Sequence, residues 1–103
     1  MSNAARDKLI EVVARFGASV YETPLRLEPD DAWAYNERGV ASHRMADYDR
    51  ALQDYSEAVR LKPDYAEAYR NRAGAYEKKR MASAAKADRG RADELERGAH
   101  RFS

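Results

Sequence analysis

One sequence unit occurs twice in this chain, and the interval between the two copies constrains the fold more than any other feature. Pro29 and Pro63 lie 34 residues apart, and each proline is followed by Asp. Identical residues recur at the same interval between 32–65 and 66–99: Ala32, Ala34, Tyr35, Arg38, Ala41, Ala51, Asp54, Ala58 and Leu61 return as Ala66, Ala68, Tyr69, Arg72, Ala75, Ala85, Asp88, Ala92 and Leu95. The interval equals the period of roughly 34 residues that is typical of certain helix–turn–helix units, which bury their apolar faces by stacking. The sequence therefore predicts a short all-α solenoid.

Apolar residues at offsets of three and four predict five helices and no strand. The predicted helices are 4–22, 32–45, 48–61, 66–79 and 82–97. Pro24 is expected to end the first of them, because the residue before a proline avoids the α conformation. Pro29 and Pro63 separate later helices, and the Asp that follows each proline is expected to cap the next helix. Asp47 is expected to cap the helix over 48–61.

The composition argues against several classes of function. The net charge is only +1, so the chain has no overall field that would attract nucleic acid or an anionic membrane. It has no Cys, no glycine-rich phosphate loop and only two histidines, His43 and His100. We expect no catalytic residues, no metal site, no cofactor, no nucleic-acid partner and no membrane segment. A cytoplasmic protein is the corresponding expectation for localisation.

Residues 32–65 resemble a tetratricopeptide repeat. The family pattern combines aromatic, small and proline residues at fixed intervals, which here are Tyr35, Gly39, Tyr48, Ala51, Tyr55, Ala58 and Pro63. A glycine inside a helix destabilises it by about 1 kcal/mol relative to Ala. Gly39 therefore indicates that another helix backbone passes close by.

The second unit, over 66–99, follows the pattern less closely. It keeps Tyr69, Ala73 and Tyr76, but Ala82 and Arg89 replace aromatic residues and Arg97 replaces the proline. We predict one domain over 1–103, with an N-terminal helix or cap at 4–29 that is either a repeat remnant or a simple cap. The full repeat at 32–65 and the degenerate repeat at 66–99 follow it.

The resemblance implies a groove lined by the first helix of each unit. Its residues would be Trp33, Asn36, Glu37, Val40, His43, Arg44, Glu67, Arg70, Asn71 and Lys78. Asn36 and Arg70 are also a candidate pair for a partner's carboxylate. Trp33 has two interpretations: it packs against the N-terminal helix, or it anchors a peptide side chain, since aromatic residues dominate binding energy at interfaces.

The implied function is a non-catalytic protein–protein interaction module that presents this groove to a peptide or partner protein. The alternative is a structural element that forms a homodimer or larger homo-oligomer without a peptide ligand. Two units bury little core, and open solenoid ends expose apolar surface.

Overall fold

The computed structural model describes the backbone of residues 1–101 and the side chains of residues 1–98. The described residues form helices and turns without a strand. The helices are α1 (Asn3–Phe16), α2 (Glu22–Leu27), α3 (Ala32–Arg44), α4 (Tyr48–Leu61), α5 (Ala66–Lys78) and α6 (Ala82–Arg101). The all-α prediction is therefore confirmed. The helices α3 to α6 lie at the predicted places, and α6 extends past the predicted end at residue 97.

The prediction of one helix over 4–22 is wrong. The first helix ends at Phe16, because Gly17 has φ +74° and turns the chain into a 3-10 helix over Gly17–Tyr21. Pro24 does not end a helix but lies in the first turn of α2. A proline is tolerated there, since the first amide hydrogens of a helix have no intrahelical acceptor.

Of the three predicted aspartate caps, only Asp47 is confirmed, and the cap of α3 is Asp31, one residue after the predicted Asp30. The Asp31 side chain accepts a hydrogen bond from the Ala34 amide at 3.2 Å, and Asp47 accepts one from the Arg50 amide at 3.3 Å. The expected cap at Asp64 is absent, because the N-cap position of α5 is occupied by Tyr65, which makes no side-chain capping bond. The first unit has two consecutive aspartates after its proline, and the second of them is the cap.

The pairs α3/α4 and α5/α6 are the two helix–turn–helix units, and α4 packs against α5 between them. Gly39 lies at a close contact, but with a side chain rather than with a helix backbone. A Cβ atom at Gly39 would lie 2.6 Å from Cε1 of Tyr55, which is 1% exposed. The glycine of α3 therefore makes room for the central aromatic ring of α4.

A repeated ion pair joins the two helices inside each unit. Arg38 of α3 donates two hydrogen bonds to Asp54 of α4, at 2.9 and 2.8 Å. Arg72 and Asp88 form the same pair in α5 and α6, at 2.7 and 2.8 Å. Both aspartates are buried, so each carboxylate is satisfied by a bidentate guanidinium.

The N-terminal segment takes the place of a preceding second helix. Tyr21 and Leu25 are buried against Ala34 of α3. They stand one repeat period before Tyr55 and Val59 of α4, which pack against α5 at Ala75 and Ala68 respectively. Residues 17–27 are thus arranged against α3 as α4 is against α5, which favours the repeat-remnant interpretation.

The outer face of α6 is polar where the corresponding face of α4 is apolar. At the positions of Tyr55 and Val59, α6 carries Arg89 and Asp93, which form ion pairs with Glu77 and Arg70 of α5. Charged side chains therefore cover this end of the stack, as expected for a capping unit.

Candidate functional site

The helices α3 and α5 lie side by side and form one surface, here called the α3/α5 face. The Asn71 side-chain amide donates a hydrogen bond to Asn36 Oδ1 at 3.0 Å, which ties the two helices together. Farther along, His43 is close enough to α5 that a Cβ atom at Gly74 would lie 3.3 Å from its Cε1. Because Asn36 is fully buried, it acts as a spacer between helices, and the more exposed residues around it form the surface.

An acidic region lies toward the N-terminal ends of these two helices. The half-buried carboxyl group of Glu37 has a raised pKa, first because of burial and second because Glu67 carries a like charge nearby. The Glu37 charge also interacts electrostatically with the hydroxyl groups of Tyr21, Tyr55 and Tyr65. Glu37 forms no hydrogen bond or ion pair within the described residues. It is a carboxyl group in a tyrosine-rich setting, and the one cationic charge that acts on it, that of Arg44, lowers its pKa by less than burial and Glu67 raise it.

A basic region lies at the C-terminal ends of the same helices. Arg44 is the last residue of α3 and Lys78 is the last residue of α5. Between them, the His43 ring meets the Tyr48 ring edge-on, with the ring centroids 5.3 Å apart. Burial and the Lys78 charge lower the pKa of His43, so the neutral imidazole is favoured at neutral pH. The α3/α5 face is thus acidic at one end and basic at the other.

Trp33 packs against the N-terminal segment. Its ring meets Tyr21 edge-on at a centroid distance of 6.1 Å, and the Arg6 guanidinium lies 4.8 Å above it. Trp33 is half-buried, so part of the ring stays accessible beside the packing contact.

Two other predicted groove residues make contacts with other residues of the protein. Val40 packs against the buried cluster around Tyr55. Arg70 donates hydrogen bonds to Glu96 at 2.9 and 2.6 Å and to Asp93 at 2.8 Å, so its guanidinium faces α6. The Asn36 Nδ2 donor is unpaired but fully buried and Arg70 is paired with α6, so neither residue offers an accessible free donor to a partner's carboxylate.

Sequence reasoning missed two features that the structure shows clearly. The Arg38–Asp54 and Arg72–Asp88 pairs were visible as identical residues one repeat apart, and the separation of 16 within each pair is a usable signal. A surface pocket between α1, the 3-10 helix and α3 was not predicted. The break at Gly17 in the apolar pattern was its one indication in the sequence.

Neither a metal centre nor a membrane-spanning helix is present among the described residues. No group of three or more potential metal ligands converges within them. None of the helices described is both long and apolar enough to cross a membrane. The side chain of His100 lies outside the described residues.

Comparison with known proteins agrees with this architecture. The family model of the TPR, or tetratricopeptide, repeat matches residues 47–79. Residues 47–79 are thus similar to a tetratricopeptide repeat. The match begins at the cap of α4 and ends just after α5, so it joins the second helix of one unit to the first helix of the next. No curated protein matches the chain.

Solved structures of MamA are similar to this chain. One MamA crystal structure has a TM-score of 0.79 and 25% sequence identity, and the match covers 82% of this chain and 49% of that one. A second has a TM-score of 0.75 and 24% identity, with 84% and 47% covered. The chain thus spans about half the length of the MamA chains that it matches. The comparison identifies a tetratricopeptide-type helical fold.

Proposed function

We propose that this chain is a non-catalytic protein-interaction module that binds a segment of a partner protein across the α3/α5 face. The tetratricopeptide repeat and the MamA-like fold support an interaction or scaffold role. The charge arrangement on the face supports this location for the contact. Helices paired through Arg38–Asp54 and Arg72–Asp88 hold the surface rigid, so a partner would find it already formed.

The observation that carries this proposal is that the half-buried carboxyl group of Glu37 forms no hydrogen bond or ion pair within the described residues. A half-buried carboxylate with no hydrogen bond or ion pair is costly, and the Arg44 charge offsets this cost only in part. A Lys or Arg side chain from a partner would supply the missing contact, and Glu67 beside Glu37 would strengthen the attraction. The ligand segment would then extend toward Arg44 and Lys78, where an acidic group fits.

The proposal can be tested with peptides selected from a displayed random library on the immobilised chain. Selected peptides should be enriched in Lys or Arg, and salt should weaken their binding. The double variant Glu37→Gln and Glu67→Gln should bind them about tenfold more weakly, since two charged contacts are lost. Glu11→Gln with Glu94→Gln is the matched control, because both of these glutamates are exposed and lie on other helices.

If the selected peptides bind the variant Glu37→Gln with Glu67→Gln as tightly as the control variant, binding at the α3/α5 face is contradicted. Loss of binding in the groove variant alone would support it. Melting curves of both variants show whether a loss of binding comes from unfolding.

Self-association is the second candidate function, and one observation favours the N-terminal end for it. Phe16 is 64% exposed and Leu27 is 76% exposed, whereas toward the C-terminal end Met81 is 45% exposed and Ala85 is buried. Sedimentation of the wild-type chain and of the variant Phe16→Ser with Leu27→Ser would test it. A mass that rises with concentration in the wild type alone supports self-association, and a monomer in both contradicts it.

A further inference from the structure

A pocket of about 590 Å³ opens between the end of α1, the 3-10 helix and the end of α3. Its walls include Val13, Phe16, Ala41 and Met45. Phe16 is 64% exposed and Met45 is 71% exposed. Large apolar side chains that line one concave surface often mark a binding site.

Comparison with the next repeat unit explains why no large side chain of the protein fills this pocket. Ala14 and Ala18 line it, and they stand one repeat period before Tyr48 and Leu52 of α4. In the next unit, Leu52 packs into the cluster that contains Ala75, the counterpart of Ala41. The pocket therefore lies where small residues replace large ones of the repeat, and a bulky apolar side chain matches what is missing.

The rim of the pocket is basic. Arg15 and Arg44 both line it, and no carboxylate does. The Arg15 guanidinium lies 5.8 Å from the centroid of the Phe16 ring. Neither arginine forms a hydrogen bond or ion pair with a described residue, although the Arg44 charge is felt by Glu37. The paired Arg38 and Arg72 differ in this respect.

We propose that this pocket binds a segment of a partner protein in which a bulky apolar side chain stands next to an acidic residue. The apolar side chain would enter between Phe16 and Met45. The carboxylate would receive hydrogen bonds from Arg15 and Arg44, which are suited to bidentate contacts. The site shares only Arg44 with the α3/α5 face, so it does not depend on binding there.

Nuclear magnetic resonance titration of the isotope-labelled chain tests this assignment. The probe is the capped peptide acetyl-Gly-Ser-Asp-Phe-Gly-amide, and the comparison peptides replace Asp by Asn or Phe by Ala. The Asp-Phe peptide should shift the backbone amide signals of residues 13–19 and 41–45. Each replacement should weaken binding about fivefold or more, since either the charged or the apolar contact is lost.

Two variants with matched controls separate the pocket from other surfaces. Ala14→Trp should fill the pocket and abolish the shifts, whereas Ala87→Trp, at an exposed position on α6, should leave them unchanged. Arg15→Gln should weaken binding of the Asp-Phe peptide about fivefold and leave the Asn-Phe peptide unaffected. Arg50→Gln, at an exposed position on α4, should alter neither.

Three outcomes would overturn the proposal. Shifts confined to the amides of residues 36–40 and 67–74 would place the peptide on the α3/α5 face instead. Equal binding by the Asp and Asn peptides would remove the role of the arginines. Absence of peptide binding, together with a concentration-dependent mass that Ala14→Trp abolishes, would show that a second copy of the chain covers the pocket.

Discussion

Replacing Gly39 by Ala should destabilise the protein, although alanine is the better helix former. The new Cβ atom would lie 2.6 Å and 2.7 Å from two carbon atoms of the Tyr55 ring, and this ring is 1% exposed. A buried ring can move only by displacing its neighbours, so we estimate a steric penalty of about 3 kcal/mol. The gain in helix propensity offsets about 1 kcal/mol of it.

The net loss is then about 2 kcal/mol, which lowers the melting temperature of a domain of this size by about 10 °C. Gly39→Leu should be at least as damaging. Urea unfolding followed by circular dichroism measures the change in free energy, and the transition slope shows whether the denatured state is altered.

The control is the same substitution at Gly90 of α6. A Cβ atom there meets nothing within 4 Å, so Gly90→Ala should stabilise the protein by about 1 kcal/mol. The two substitutions are chemically identical and should have opposite signs. In the background Tyr55→Leu, much of the Gly39→Ala penalty should disappear, because the two residues are coupled. A Gly39→Ala variant as stable as the wild type would refute the packing argument.

Three further changes have defined expectations. Asp54→Asn should cost about 2 kcal/mol in urea unfolding, since Arg38 loses its charged acceptor, and a loss near zero would count against the pair. Glu37→Gln should be more stable than the wild type at neutral pH, because burial and Glu67 disfavour the ionised carboxylate in the folded state. That advantage should vanish as the pH falls below the ordinary pKa of 4.5, where the folded and unfolded wild type are both protonated; an advantage that persists in unfolding midpoints at pH 4 would contradict it. Ala46→Gly should stabilise by about 1 kcal/mol, because Ala46 has φ +63°, and a lower melting temperature would contradict this.

Most of the fold could be predicted from the repeat period. Offsets of three and four fixed α3 to α6 within a few residues, because each of these helices has an apolar stripe that must face a neighbour. The resemblance of 32–65 to a tetratricopeptide repeat was sufficient to predict which helices pair. The small residue at 39 correctly signalled a tight contact, although its partner is a ring rather than a backbone.

The errors arose where tertiary packing overrides local pattern. Val20 continues the apolar stripe of residues 9–16, so the sequence does not show that Gly17 adopts a positive φ and ends α1. Tyr21 is buried because α3 covers it, a long-range effect that no window of neighbouring residues contains.

The candidate site was less predictable than the fold. Family-like positions placed Asn36 and Arg70 in the groove, but one is fully buried and the other is paired with α6. The partner of a long charged side chain depends on distances between helices, which composition does not fix. The pKa of Glu37 likewise depends on its burial and on the charges of Glu67 and Arg44, which only the folded arrangement of α3 and α5 brings near it.

The difference between the apolar face of α4 and the polar face of α6 determines where this array can be lengthened. An additional copy of residues 32–65 inserted after residue 65 would bring its Ala34 and Ala41 against Tyr55 and Val59, as Ala68 and Ala75 are now. It would also offer a second apolar face to α5. A copy added after α6 would meet charged side chains instead. Duplication or design can therefore extend the stack from within, and each inserted unit should add its own stability to the total.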